Sequence, residues 1–310
     1  MKVHFINVGY GEAVLIVKDN FLILVDGGTD NPDEYVAPGC IRADEYIEKS
    51  GFSKIDLLVI THLHDDHISG LVNVIKKFQV KKVWVNVMPD VDINSITERL
   101  FPVVSENKSG MLFINALKSY TEILNECRIK NITIEQICKK NGKVQLEKDI
   151  SIEIISPALS VQNKILDLFR ELSEEKDIKK AEKFFYQLDA LGNKSSMAFR
   201  VKSGEIAVLL TGDQTEGWEE AYREYGNSLR SQILKVSHHG QIDGMPRAML
   251  DISCPDYIVI CSSSDKRFNS AHPSVIESAC EYLCHNHKKG DVFITYKDGT
   301  IILPPAAPYK

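Results

Sequence analysis

The chain has 310 residues, 44% hydrophobic and 26% charged, a composition ordinary for a soluble globular protein with room for a large core. The net charge of −6 supplies no global positive field for nucleic acid or an anionic membrane. Apolar runs such as Phe21–Val25 and Ile206–Leu210 are far too short to cross a bilayer. The start of the chain has no basic segment followed by an uninterrupted apolar run, so no signal peptide is expected. The 7 cysteines are scattered and odd in number, and read as reduced thiols of a cytoplasmic chain without membrane insertion. Cys280 and Cys284, near His285 and His287, read as a buried helix end rather than a zinc site, because no Cys-x-x-Cys pair is present.

In chain order, Val3–Val8, Ala13–Val17 and Phe21–Val25 predict strands joined by tight turns, the last ending at Asp26-Gly27-Gly28. A helix is expected over Ala43–Lys49, a buried strand over Ile55–Ile60, a helix over Ile68–Phe78 and a strand over Val80–Val87. From about residue 90 to 145 the pattern is weak, with a helix near Leu112–Glu126 and short strands near Ile132–Gln136 and Val144–Leu146. Ser151–Pro157 reads as a strand stopped by proline, and residues 160–190 as helical, with apolar spacing at Ile165, Leu168, Leu172 and Ile178. Strands resume at Met197–Val201, Glu205–Leu210, Ser231–Ser237 and Tyr257–Ser262, with helices between the later ones. Two more strands close the chain. This order suggests two sheets face to face with helices outside. No linker divides it, so residues 1–310 are read as one domain, with about 90–190 partly an elaboration.

The strand over Ile55–Ile60 leads directly into His62-Leu63-His64-Asp65-Asp66-His67. A polar turn needs no such concentration of imidazole, the commonest side-chain metal ligand. Residues two apart in extended chain share a side, so His62 and His64 can hold one cation. Asp66 and His67, at the turn into the next helix, face a second position. Zinc takes four ligands, so others must come from elsewhere. Asp213, His238, His239 and His272 are the candidates, the first three just past a predicted strand and His272 in a loop after the Tyr257–Ser262 strand, and the Asp213 carboxylate can bridge two cations.

With these segments in view, the chain resembles the metallo-β-lactamase superfamily. More narrowly it resembles the hydrolase domain of ComEC/Rec2-like competence proteins, on NVGYGEA, LVDGG, THLHDDHISG, NKSSMAF, LLTGD, LKVSHHG and AHPS. The resemblance implies an α/β fold, an αββα sandwich with the metal site at one edge of two mixed β-sheets. It implies two divalent metal ions, zinc or manganese: His62 and His64 on the first, Asp66, His67 and His238 on the second, and Asp213 bridging. His239 is the alternative to His238. Asp26 would orient a ligand histidine. Lys235 and His272 would stabilise charge or donate a proton, and Asp66 would orient or deprotonate the attacking water. Two departures stand out. No histidine occurs between His67 and His238, where many members have a third ligand to the first metal, so Asn193 or Ser196 would serve weakly there in an oxygen-richer site tolerant of manganese. Asn7, Tyr10 and Glu12 also stand where this branch favours Asp, Gln and Asp.

A hydroxide bridging two divalent metals can attack a phosphodiester whose oxygens the metals neutralise. The expected activity is therefore a metal-dependent phosphodiesterase or nuclease acting on nucleic acid or a nucleotide. The ComEC protein itself carries a transmembrane channel, and none is expected in this chain. The same site can open a lactone, thioester or β-lactam, and a non-catalytic metal-binding scaffold is the third reading.

Overall fold

The computed structural model describes residues 1–305. Short apolar runs flanked by polar turns become strands β1 (Lys2–Phe5), β2 (Val14–Lys18) and β3 (Phe21–Val25). Helix α1 (Ala43–Lys49) has the expected bounds. The buried run expected over Ile55–Ile60 splits at Asp56 into β4 (Lys54–Ile55) and β5 (Leu57–Ile60), because the Asp56 carboxylate accepts the Leu22 N–H at 3.0 Å and pairs with Lys54 and Lys81. One turn of helix, α2 (Asp65–Ile68), precedes α3 (Leu71–Lys77). Strands β6 (Gln79–Val80) and β7 (Lys82–Val85) follow.

The weakly patterned stretch from about 90 to 145 holds α4 (Ile93–Val104), α5 (Lys108–Ile129), β8 (Thr133–Gln136) and the start of β9 (Lys143–Glu147), and β10 (Ile150–Ile154), α6 (Leu159–Glu174) and α7 (Ile178–Leu191) follow. Asp92, Asn107 and Asp177 cap α4, α5 and α7 through their side chains, each satisfying backbone N–H groups the helix leaves free. Ile165, Leu168 and Leu172 are buried on α6, whereas Ile178 opens α7 and is exposed. The last third contains β11 (Phe199–Ser203), β12 (Ile206–Leu210), α8 (Trp218–Tyr225), β13 (Ile233–Lys235), α9 (Arg247–Ser253), β14 (Tyr257–Ile260), α10 (Pro273–His285), β15 (Val292–Ile294), α11 (Thr295–Asp298) and β16 (Ile301–Leu303). Cys280 and Cys284 sit exposed on α10, not at a buried helix end.

The strands form two seven-stranded sheets, β16-β1-β2-β3-β5-β7-β8 and β15-β14-β13-β12-β11-β10-β9, with β4 and β6 apart as a small pair. Both sheets are mixed. Alternate side chains of the two face each other: Phe5, Ile16, Val25, Val59 and Trp84 from one sheet meet Ile152, Phe199, Val208, Ile233 and Val259 from the other. A second core packs α1 and α3 to α7 against the first sheet, and a third packs α8 to α10 against the second. The order of layers is helix, sheet, sheet, helix. The elaboration does not stand apart from this frame. Its strands β8 and β9 are edge strands of the two main sheets, with β10 next in from β9, while α4 to α7 join the helical layer on the first. Among the described residues no helix is long and apolar enough to cross a membrane.

Candidate metal centre

Parallel pairs align β3 with β5 and β12 with β13. The chain leaving each of these strands at the same rim carries Asp26, His62, Asp213 and His239 respectively. Ligands scattered along the sequence thus converge because parallel strands end together.

The turn after β5 is held by its neighbour. The Thr61 N–H and Oγ1 donate to Asp26 Oδ1 and Oδ2 at 2.8 and 2.7 Å. His62 and His67 are fully buried and Asp213 is nearly so. The His62 Nε2 lies 3.0 Å from the His64 Nδ1 and 4.0 Å from Asp213 Oδ2. Four donors crowd a second position. The Asp213 Oδ2 is 3.3 Å from both His67 Nε2 and His239 Nε2, and those nitrogens are 3.3 Å apart. Asp66 Oδ2 is 3.0 Å from His239 Nε2 and 3.8 Å from His67 Nε2. Ligand bonds of 2.0–2.1 Å in tetrahedral zinc sites imply donor separations of about 3.3 Å. The donor set therefore fits a small divalent cation at this position, with Asp213 shared toward His62.

Each imidazole is also held by its other nitrogen, which fixes ring direction. The His67 Nδ1 lies 2.7 Å from Asp26 Oδ2, so Asp26 stands where the resemblance put it. The His62 Nδ1 has Thr61 Oγ1 at 3.1 Å and Ser196 Oγ at 3.4 Å. The His239 Nδ1 donates to the Cys261 carbonyl at 3.0 Å. The His64 Nε2 donates to the Asp189 carbonyl at 3.2 Å.

Electrostatics match a cation-binding cluster. Burial pulls the His67 imidazole down, but Asp213, Asp66 and Asp26 outweigh it and raise it well above its ordinary value. Burial likewise lowers His239, yet Asp213 and Asp66 bring it up to about 9. Burial pushes the Asp213 carboxyl up, but His239 and His67 hold it well below the carboxylate range. For His62, burial and then the neighbouring His67 and His64 act together to lower it.

Three expected roles change. His238 does not face the cluster. Its Nδ1 pairs with Asp243 at 3.0 Å, and its Nε2 accepts from Asn193 Nδ2 at 3.1 Å and Gln241 Nε2 at 3.0 Å. His238, His239 and Gly240 have successive φ values of 50, 51 and 70°, a left-handed curl that turns His239 inward. Lys235 does not reach the cleft. It is fully buried, ion-paired with Glu12, bonded to the Gly212 carbonyl at 2.9 Å and 3.7 Å from Asp213 Oδ1. Burial would lower its ammonium, but Glu12 and Asp213 raise it, so it stays charged and braces Asp213 from behind. His272 caps α10, accepting the Ser274 N–H at 3.3 Å, and does not line the cleft. Of the two candidates for the missing third histidine, Ser196 is occupied: its hydroxyl takes the Asp213 N–H at 3.0 Å. Asn193 Oδ1 is buried without a hydrogen-bond partner, and Asn193 lines the cleft beside His64.

The cleft over the cluster encloses about 760 Å³. Carboxylates dominate its lining: Asp30, Asp33, Asp65, Asp189 and Asp265 join Asp66 and Asp213, against Lys108 and Arg267. Arg267 is already paired with Glu34 and Asp265. One rim is aromatic. The Tyr10 ring lies 4.7 Å from that of His239 and 5.4 Å from that of Phe268, which is half exposed.

Comparison with known proteins agrees with this geometry. Residues 6–87 match the model of the Metallo-beta-lactamase superfamily. Over 233 residues, 75% of the chain, it is 23% identical to ComE operon protein 3 of Bacillus subtilis (strain 168), covering 23% of that protein. Over 83 residues, 26% of the chain, it is 35% identical to competence protein ComA of Neisseria gonorrhoeae, covering 12% of it. The matched stretches thus span less than a quarter of either relative's length. CmlA, a diiron beta-hydroxylase from Streptomyces venezuelae, aligns with 98% of the chain and 54% of its own at a TM-score of 0.50 and 13% identity, a likeness of fold alone. The match over residues 6–87 and the two packed mixed sheets agree: the chain has the metallo-β-lactamase fold.

Proposed function

We propose that the chain is a metal-dependent hydrolase whose substrate is a phosphodiester of limited length, a nucleotide or the end of a single strand. The observation that carries the reading is the donor set itself: His62, His64, Asp66, His67, His239 and Asp213 gathered on the floor of an open cleft. His62 and His64 would hold one divalent cation, zinc or manganese, and Asp66, His67 and His239 the other, with Asp213 between them. When bound, such cations supply an acidified water and neutralise anionic oxygens. Asp66, the cluster carboxylate with appreciable exposure, sits where it can orient the attacking water and take its proton. Asp26 and Thr61 hold the ligand rings, and the Lys235 ammonium keeps Asp213 aimed.

The acidic lining sets the size of the substrate. A long duplex would bring a row of phosphates past Asp30, Asp33 and Asp265 with little cationic return. A single phosphodiester needs only the cations below it. Phe268, beside Tyr10, gives a base or aryl group a face on which to stack. The same acidity favours a second reading, a neutral lactone or thioester. Hydrolysis of an aryl phosphodiester, a dinucleotide, single- and double-stranded DNA and a lactone, each with added Mn²⁺ or Zn²⁺, separates them. The proposal expects the aryl diester and dinucleotide to be cut fastest and duplex slowest. Lactone cleavage without diester cleavage would replace it with the second reading.

A further inference from the structure

Three of the four ligand imidazoles are oriented by groups on or beside the two sheets: Asp26 for His67, Thr61 for His62 and the Cys261 carbonyl for His239. The fourth is not. The outward nitrogen of His64 meets the end of α7, where Asp189 offers both its carbonyl at 3.2 Å and its carboxylate Oδ1 at 3.5 Å. The other carboxylate oxygen accepts from Ser109 Oγ on α5 at 2.9 Å, so two helices of the elaboration, α5 and α7, enter one hydrogen-bonded chain. The approach is close. A Cβ on Gly192, just beyond α7, would lie 2.3 Å from His64 Nε2. Phe113 of α5 sets its ring edge-on to His64 at 6.3 Å and packs on Phe185 of α7 at 5.0 Å.

We infer that Asp189, held by Ser109, is a positioning residue for the first cation site, and that the α5–α7 wall completes that site. With Nε2–H committed to Asp189, His64 is the tautomer whose bare Nδ1 faces His62 Nε2, and a ring so fixed is preorganised to bind. The wall and the cation are then thermodynamically linked: what seats one tightens the other. The inference rests on the two-cation reading above and assigns the elaboration a part in it.

Metal titration tests it without recourse to activity. Wild type, Asp189→Ala, Asp189→Asn and Ser109→Ala are titrated with Zn²⁺ by calorimetry and with Co²⁺ by absorption, and the His64 tautomer is read by ¹⁵N NMR. The expected result is two binding steps in wild type. Asp189→Ala, which keeps the backbone carbonyl but removes the carboxylate held by Ser109, should weaken one step by up to about 10-fold and leave the other, change the Co²⁺ bands of the weaker step, and shift the His64 ¹⁵N signals. Asp189→Asn, which keeps an acceptor, should recover part of the loss, and Ser109→Ala should lose less. A partly exposed helix end such as Asp189 tolerates these changes, and an unaltered melting curve of the metal-stripped variants confirms it. Two unchanged steps in Asp189→Ala would overturn the inference and leave the metal-centre reading standing. A wild type that takes up no cation would overturn both.

Discussion

The two proposed cation positions are built differently. The second gathers Asp213 and His239 from just past β12 and β13, and Asp66 and His67 from the helical turn α2 that follows β5, at separations near those a tetrahedral cation imposes. The first has two imidazoles, a shared carboxylate 4.0 Å away and an amide with one unpartnered oxygen. Parallel strands ending at one rim can define a site alone. Where a strong ligand is missing, helices from an elaboration close on the remaining ones. The comparison teaches that the second position is a property of the sheet frame, and the first of the frame together with α5 and α7.

Removing the shared group erases the difference. Asp213→Ala should abolish tight binding at both positions and lower hydrolysis by at least about 10³-fold, the scale of losing a preorganised electrostatic group; metal content and rate check it together. Removing a ligand from one position sharpens the contrast. His239→Ala should eliminate the second binding step, while His238→Ala should leave both, with less than about a tenfold change in rate. An opposite ranking would restore His238 as the ligand. Asp26→Asn should weaken the second position by about 10–100-fold in a metal titration.

Lys235→Met leaves Glu12 buried without its partner and should destabilise the fold by about 3–5 kcal/mol, measured by denaturant unfolding. Adding Glu12→Gln should return part of that loss.

The smallest expected effect is a pH dependence. In protein stripped of metal, His239 titrates at about 9, above the ~6.5 of an unfolded imidazole. Its contribution to stability is then complete below ~6.5 and lost as pH rises through about 9. A cation must displace that proton, so affinity at the second position should climb as pH rises through about 9, with protons released on binding. Calorimetry in buffers of different ionisation enthalpy counts them.

Much of this was legible in sequence. Strands β2, β3, β12 and β14 announce themselves as apolar runs between turn residues, and His62 to His67 as a metal segment. Helix α4 is less legible. Pro102 in its last turn argues locally for a break, and the packing of Ile96, Leu100 and Val104 overrides it. The choice between His238 and His239 depends on a left-handed backbone curl that two adjacent identical residues do not signal. Lys235 reads as a substrate-side cation because Glu12, its buried partner, lies far away in the chain. Asp189 carries no motif at all: only the fold brings a helix end from the elaboration to His64.

The central claim is that this rim holds two cations through one shared carboxylate. Its most direct test is the stoichiometry of Zn²⁺ or Mn²⁺ bound to wild type and to Asp213→Ala at equal protein concentration. The account predicts two per chain in wild type and no tight binding in the variant. Two tightly bound ions retained by Asp213→Ala, or none in wild type, would contradict it.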